Sequence, residues 1–260
     1  MELGASVEGQ RVAFFRKQVA RWYCKHGRRF PWREPDASAF HVLLAEVLLQ
    51  RTRAEAVAEL YPELCSQFLD WSDVLKVEEG ALRCMLRPLG LSNRRTTALR
   101  ALARVMVERG RGVPTTRGEL EEMPGVGQYI AAAVLTTVHG IREPMLDSNM
   151  VRVLERFFGP RTRADVRDDP YLQGLARMVV SLGSARRVNW GILDFGAGVC
   201  RPREPRCGEC PVVAGCQWAN GRGRASAASV RSPPPSTSCA TSPLPSQDAP
   251  AIIHPHPDAP

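Results

Sequence analysis

Four cysteines stand close together near the C-terminal end of the 260-residue chain, spaced C-x6-C-x2-C-x5-C at Cys200, Cys207, Cys210 and Cys216. Four thiolates at such spacing can enclose one compact metal centre, which fixes the shape of the surrounding loop. Zinc sites usually join two short cysteine pairs across a longer spacer, whereas a single local loop is typical of a 4Fe-4S cluster. The spacing therefore favours a 4Fe-4S cluster, with zinc as the alternative.

The apolar residues before this loop follow a helical period. Phe40, Leu43, Leu44, Val47 and Leu48 recur at the spacing of one buried helix face. Strand signals are scarce, so we expect an all-α fold of short helices. The chain has no repeat of solenoid period and no glycine-rich nucleotide fingerprint, which argues against hydride and phosphoryl transfer.

Charge and hydropathy restrict the partners and the location. The chain has 35 Lys and Arg against 27 Asp and Glu, a net charge of +8 and a pI near 9.4. This balance favours a polyanionic partner. No stretch approaches the roughly 20 consecutive apolar residues of a membrane span, and the N-terminus lacks the pattern of a secretory signal. We expect a cytoplasmic protein.

The last forty residues, 221–260, have a different composition from the rest. They contain nine prolines and almost no periodic apolar positions, which predicts a disordered tail. Their three arginines and two aspartates carry one net positive charge, so seven of the eight positive charges belong to the folded part.

A turn with two glycines, MPGVGQY, separates two helical segments and contains Gly125, Val126, Gly127 and Gln128. Such a turn exposes backbone N–H groups at the start of the next helix, where the helix dipole also favours an anion. A phosphate could bind there. Taken alone, the turn is more typical of an ordinary corner between helices.

Two carboxylates are candidates for acid–base or electrostatic catalysis. Asp147 lies twenty residues after Gly127, in LDSNMVRVL, and could equally be the N-cap of the following helix. Glu46 lies on the edge of the apolar stripe. A carboxyl group beside a buried face often has a raised pKa and can act as an acid, although a solvated helix edge is the alternative.

Together these segments resemble the helix-hairpin-helix DNA glycosylases of the endonuclease III and MutY superfamily. The resemblance runs through RRFPWRE, AEVLLQRT, GLSNRR, MPGVGQYIAAAV, LDSNMVRVLERFF and NWGILDFGAGVC, and it leaves out only the tail. It implies two helical lobes: a six-helix lobe at residues 37–142, and a cluster lobe of residues 1–36 and 143–220 that carries the 4Fe-4S cluster. Double-stranded DNA would bind across the cleft between them, and a monomer near the nucleoid is expected.

The resemblance also assigns roles to the site residues. Relatives that cut the strand carry a lysine where this chain has Tyr129, which implies a monofunctional glycosylase that uses water. Asp147 would stabilise positive charge on the sugar of a flipped nucleotide, and Asn149 and Tyr129 would hold that carboxylate and the sugar. Glu46 would face the flipped base.

The predicted DNA contacts also bear on which base is removed. The hairpin amides, Val126 and Gly127 above all, would bind phosphate, and the cluster loop adds three basic residues: Arg201, Arg203 and Arg206. Arg51 and Asn93 stand where adenine glycosylases carry glutamine and tyrosine, and the tail cannot supply those enzymes' C-terminal domain. We therefore expect removal of thymine or uracil opposite guanine. Adenine removal opposite 8-oxoguanine or guanine, and a DNA-binding protein without catalysis, are the alternatives.

Overall fold

A computed structural model describes residues 7–110 and 112–221, and the regular elements in these two ranges are helical. The α-helices are α1 (Val7–His26), α2 (Ala39–Leu49), α3 (Ala54–Gln67), α4 (Trp71–Lys76), α5 (Glu79–Leu86), α6 (Ser92–Arg109), α7 (Arg117–Glu121), α8 (Gln128–Thr137), α9 (Ser148–Phe158), α10 (Pro170–Val180) and α11 (Ala185–Gly198). The predicted all-α fold is confirmed. The predicted tail, apart from Gly221, lies outside the described residues. No helix in the described ranges has the length and hydropathy to cross a membrane.

The buried apolar side chains of these ranges form two cores. The first is built by α2 to α8. The second is built by α1, α9, α10 and α11, around the fully buried rings of Phe15 and Phe195. Phe30 and Trp32 already pack in the first core, so the chain enters it before residue 37. The division into two lobes as separate domains stays a prediction.

Helix α8 lies between the two cores. Its residue Ile130 packs in the first core, whereas Ala133, one turn later, packs in the second. The helix contacts both α2 and α11. The N-terminal end of α8, which follows the glycine turn, is therefore held by both cores.

An ion-pair network also joins the two cores. The carboxylate of Asp194 on α11 is fully buried and accepts hydrogen bonds from Arg28 Nε at 2.9 Å and Arg33 Nη1 at 2.9 Å. The Arg28 guanidinium also pairs with Glu55 on α3 at 3.0 Å. Removal of one partner from such a buried pair costs about 3–5 kcal/mol, because the other charge stays behind without compensation. The network therefore fixes the cleft between the cores.

Candidate active site

A cavity of about 910 Å³ opens between the two cores. Its lining combines residues of the first core, such as Leu49, with residues of the second, such as Trp190. The four predicted catalytic residues all line this cavity: Glu46, Tyr129, Asp147 and Asn149. They come from α2, α8 and the start of α9, so tertiary packing brings together side chains as far apart in sequence as Glu46 and Asn149, which are 103 positions apart.

Glu46 is a buried acid on the last full turn of α2. Its side chain is 6% exposed, and Oε2 has no hydrogen-bond partner within the described residues. Burial raises the pKa of Glu46 to about 7; the Arg33 guanidinium opposes this shift and the Asp147 carboxylate adds to it. The sequence allowed either a carboxyl group beside a buried face or one on a solvated helix edge, and the structure shows Glu46 buried. The group can hold or release a proton near neutral pH.

Asp147 caps α9 and lines the cavity at the same time. Its Oδ1 accepts a hydrogen bond from the Met150 N–H at 2.7 Å, and its Oδ2 accepts one from Asn149 Nδ2 at 2.7 Å. Burial raises the pKa of Asp147, and these two hydrogen bonds act in the opposite direction. The two readings of this aspartate, as helix cap and as cavity residue, are thus compatible.

A chain of hydrogen bonds runs from this carboxylate to the cysteine loop. Arg152 Nη2 donates to Asn149 Oδ1 at 2.7 Å, and Arg152 Nε donates to the Cys200 carbonyl oxygen at 2.8 Å. The packing around it is close, because a Cβ on Gly196 would lie 2.8 Å from the Asn149 Cβ. Arg152 orients Asn149, and sequence reasoning had assigned it no role.

The glycine turn has the geometry of an exposed loop before a helix. Gly125 adopts φ +79°, a left-handed conformation that favours glycine, and its carbonyl oxygen accepts from Gln50 Nε2 at 2.7 Å. The Val126 N–H donates to the Met123 carbonyl oxygen at 3.1 Å, so this amide is already used within the turn. The N–H groups from Gly127 onward have no acceptor within α8, so they are better placed than that of Val126 for the phosphate contact, which stays a prediction.

Tyr129 lies one residue into α8 and faces the two carboxyl groups. Burial raises the pKa of Tyr129 well above its usual value, and the negative charges of Glu46 and Asp147 add to the effect. The phenol is therefore neutral at physiological pH and can donate a hydrogen bond in the cavity.

The remaining predicted contact residues are spread over the surface. Arg51 lines the cavity, whereas Asn93 is exposed on the first turn of α6. In the cysteine loop, Arg203 and Arg206 are exposed, and Arg201 donates to the Glu204 carbonyl oxygen at 3.1 Å. The structure thus brings only Arg51 into the cavity.

The four cysteines line one small cavity, among apolar side chains that include Val153, Phe157 and Phe195. Arg156 Nη1 lies 3.5 Å from Cys200 Sγ, and Cys216 Sγ lies 3.2 Å from the Arg156 carbonyl oxygen. None of the four thiols forms a disulfide with another cysteine of the described ranges. In the part of the chain that the structure describes, no three metal-ligating side chains are drawn together into a metal-binding group.

Sequence reasoning missed two further residues of the main cavity, Arg33 and Asp194. They lie in the RRFPWRE and NWGILDFGAGVC segments, 161 residues apart, and form an ion pair at 2.9 Å. Nothing in the local spacing of either segment indicates that pair.

Comparison with known proteins agrees with this architecture. Residues 44–169 match the model of the HhH-GPD superfamily base excision DNA repair proteins. A thymine-DNA glycosylase of Aeropyrum pernix is 34% identical over 215 residues, which cover 81% of this chain and 96% of the relative. A thymine/uracil-DNA glycosylase of Methanothermobacter thermautotrophicus is 35% identical over 192 residues, covering 74% of this chain and 86% of the relative.

One solved structure and one adenine glycosylase are also similar to this chain. The structure of a thermostable thymine-DNA glycosylase superposes with a TM-score of 0.78 at 31% identity, over 83% of this chain and 100% of that one. The adenine DNA glycosylase of Mycobacterium tuberculosis is 31% identical over 202 residues, which cover 76% of this chain but only 65% of the relative. By sequence and by fold, this chain belongs to the HhH-GPD superfamily of base excision DNA repair proteins.

Proposed function

We propose that this protein is a monofunctional DNA glycosylase that removes thymine or uracil opposite guanine. The observation that carries the proposal is the pairing, in one cavity, of a buried Glu46 with a pKa near 7 and a hydrogen-bonded Asp147. Two acids in different environments can take different protonation states, which suits a hydrolysis that needs both an anion and a proton donor.

The proposed mechanism starts with a flipped nucleotide in the cavity. A mispaired base leaves the stack at lower cost than a paired one. As the glycosidic bond breaks, positive charge develops on the sugar, and the Asp147 carboxylate stabilises it. Asn149 holds that carboxylate in place through Nδ2. Glu46, whose pKa near 7 leaves a large protonated fraction at neutral pH, donates a hydrogen bond to the departing base in its protonated form.

The lining of the cavity supports hydrolysis by water without strand cleavage. A strand-cleaving enzyme needs an amine that attacks C1′ and forms a Schiff base. The position of that amine holds Tyr129, and among the described residues no lysine lines the cavity. A neutral phenol cannot form a Schiff base.

The basic and glycine-rich surfaces around the cavity are the proposed contacts with double-stranded DNA. Amides at the start of α8 suit a backbone phosphate because they have no acceptor within the helix and lie at the positive end of the helix dipole. Arg51 and Asn93 would lie at the mismatch, and the cysteine-loop arginines would reach phosphates farther along the duplex: Arg201, Arg203 and Arg206.

Two findings favour a pyrimidine over adenine as the target. The two relatives named for thymine or uracil are 34% and 35% identical to this chain, over 96% and 86% of their own length. The adenine glycosylase of Homo sapiens is less similar to this chain, at 29% identity over 221 residues. Adenine opposite 8-oxoguanine or guanine is the second candidate, because an acid such as Glu46 can protonate a purine as it leaves.

We also propose that Cys200, Cys207, Cys210 and Cys216 hold a 4Fe-4S cluster. The four thiols line one apolar cavity and are the donor type and number that such a group needs, although their side chains are not drawn together around a common centre in this structure. A cluster would fix the loop that Arg152 and Arg156 contact. Purified protein should absorb broadly near about 400 nm and contain iron and sulfide. Colourless protein that carries zinc would overturn this assignment.

A single-turnover excision assay tests the function. Duplexes with T:G, U:G, A:8-oxoguanine or A:G pairs are incubated with excess protein, and alkali reveals abasic sites. We expect release from T:G and U:G, no strand cleavage before alkali, and no release by an Asp147→Asn control prepared in the same way. Release from the adenine pairs alone would establish the second candidate. Tight duplex binding without release from any pair would identify a non-catalytic DNA-binding protein.

A further inference from the structure

Arg95 is a buried cation that the proposed mechanism does not use. It lies on the first turn of α6, is 5% exposed, and has no acidic ion-pair partner within the described ranges. Burial of a charge without an opposite charge is unfavourable unless hydrogen bonds compensate for the lost water. The surroundings of Arg95 must therefore supply good acceptors.

The acceptors come from two separate segments, the end of α2 with the loop that follows it and the loop before α6. Arg95 Nη1 donates to the Leu48 carbonyl oxygen at 2.8 Å, and Nη2 donates to the Gln50 carbonyl oxygen at 2.9 Å and to Thr52 Oγ1. On the other side, Nε donates to the Gly90 carbonyl oxygen at 2.9 Å. One guanidinium group thus ties the loop after α2 to the loop before α6.

The end of α2 explains why a cation is stable there. The last carbonyl groups of a helix have no partner within the helix and lie at the negative end of its dipole. Leu48 and Gln50 belong to this last turn of α2 and to its C-cap. Arg95 satisfies these carbonyl groups with a planar set of donors, which the single ammonium group of a lysine cannot reproduce.

Each of the two tied loops carries a residue in the left-handed conformation. Arg51 has φ +55° and lines the cavity, and Leu91 has φ +51° and is 54% exposed. Residues other than glycine adopt this conformation only where their surroundings hold them in it. The hydrogen bonds of Arg95 flank Arg51 on both sides, through Gln50 and Thr52, and reach Gly90, the residue before Leu91.

We propose that Arg95 is a positioning residue that sets the separation of Arg51 and Leu91, and so determines how the protein recognises the guanine opposite its target base. An arginine and an exposed apolar side chain, on two loops that one guanidinium group ties together, can contact an orphaned base by hydrogen bonding and by stacking. This inference rests on the proposed glycosylase function. It adds to that function a residue that touches no substrate but controls the residues that do.

The test compares two substrates with the same target base. One duplex contains uracil opposite guanine, and the other contains uracil opposite a stable abasic analogue, which leaves no base to recognise. Excision rates per active site are measured in single turnover, and their ratio reports recognition of the guanine. Arg95→Lys should lower this ratio about tenfold, the order expected when charge-assisted hydrogen bonds are lost. A merely structural role would reduce both rates together and leave the ratio unchanged.

A matched pair at Thr52 keeps the inference testable if Arg95→Lys does not fold. Thr52→Val removes the hydroxyl acceptor and should lower the ratio, whereas Thr52→Ser keeps it and should preserve the ratio. Arg104→Gln removes a charge from an exposed position of the same helix and should have no effect on the ratio. An unchanged ratio in both Arg95→Lys and Thr52→Val would overturn the inference. If the natural protein releases uracil from neither duplex and no thymine from T:G, the proposed function itself is wrong.

Discussion

The burial of Glu46 predicts that this protein becomes less stable as the pH rises through neutrality. The carboxyl group has a pKa of about 7 in the fold against 4.5 for the unfolded reference. At 1.36 kcal/mol per pKa unit, this difference corresponds to about 3 kcal/mol. Glu46→Gln removes the ionisation and keeps the size of the side chain.

The sign follows from the protonation states. Well below pH 4.5 the group is protonated in both the folded and the unfolded state, so its ionisation does not change the unfolding free energy. Above pH 7 it is ionised in both states, and the folded state carries the full penalty of a buried charge. Between these limits the unfolded state is ionised first, and the penalty grows. The natural protein therefore loses about 3 kcal/mol of unfolding free energy across this range, and the glutamine variant does not.

Urea denaturation of both proteins at about pH 5 and about pH 8.5 measures this effect by linear extrapolation. The variant should gain between about 2 and 3 kcal/mol relative to the natural protein on going from the lower to the higher pH. Any fixed cost of the buried amide cancels, because it is the same at both pH values.

A control variant at an exposed acid, Glu59→Gln, should change the unfolding free energy by about the same small amount at both pH values. If Glu46→Gln behaves like this control, the carboxyl group is solvated. Its burial, and with it the proposed role as a proton donor at neutral pH, would then be wrong.

Three further substitutions test other parts of the structure. Asp147→Asn should reduce base release at least about 100-fold, because the positive charge on the sugar loses its counterion. It should change the unfolding free energy by less than about 1 kcal/mol, since asparagine also caps helices well. Near-normal single-turnover excision would remove Asp147 from the mechanism. Tyr129→Lys should introduce an adduct with the abasic product that borohydride traps, and failure to trap any would contradict the placement of this side chain beside C1′. Asp194→Asn should lower the unfolding free energy in urea by about 3 kcal/mol, because Arg28 and Arg33 lose their buried counterion; a loss below about 1 kcal/mol would show that the pair is solvated.

Much of the fold was predictable because its signals are local. The apolar stripe of α2 repeats every three to four residues, and a helix satisfies its backbone hydrogen bonds within itself. Asp147 begins α9 through a contact with Met150, three residues away. The same holds for the glycine turn, where Gly125 adopts the left-handed conformation that its residue type permits.

The sequence alone also determined the identity of the chemical groups: the four clustered thiols, the carboxylates of Glu46 and Asp147, and a phenol at Tyr129 in place of an amine. Tertiary structure alone decided whether each of these groups is buried, which pKa it has and which group it pairs with. Whether Glu46 is a solvated edge or a buried acid depends on α8 and Arg33 packing against it, and the pairing of Arg33 with Asp194 joins residues 161 positions apart. From its local sequence, Arg95 would be predicted to be an exposed surface cation. It is buried and hydrogen-bonded because the end of α2 and the loop before α6 pack around it. Burial, pKa and long-range pairing depend on what packs against a side chain, and the spacing of residues along one helix does not contain that information.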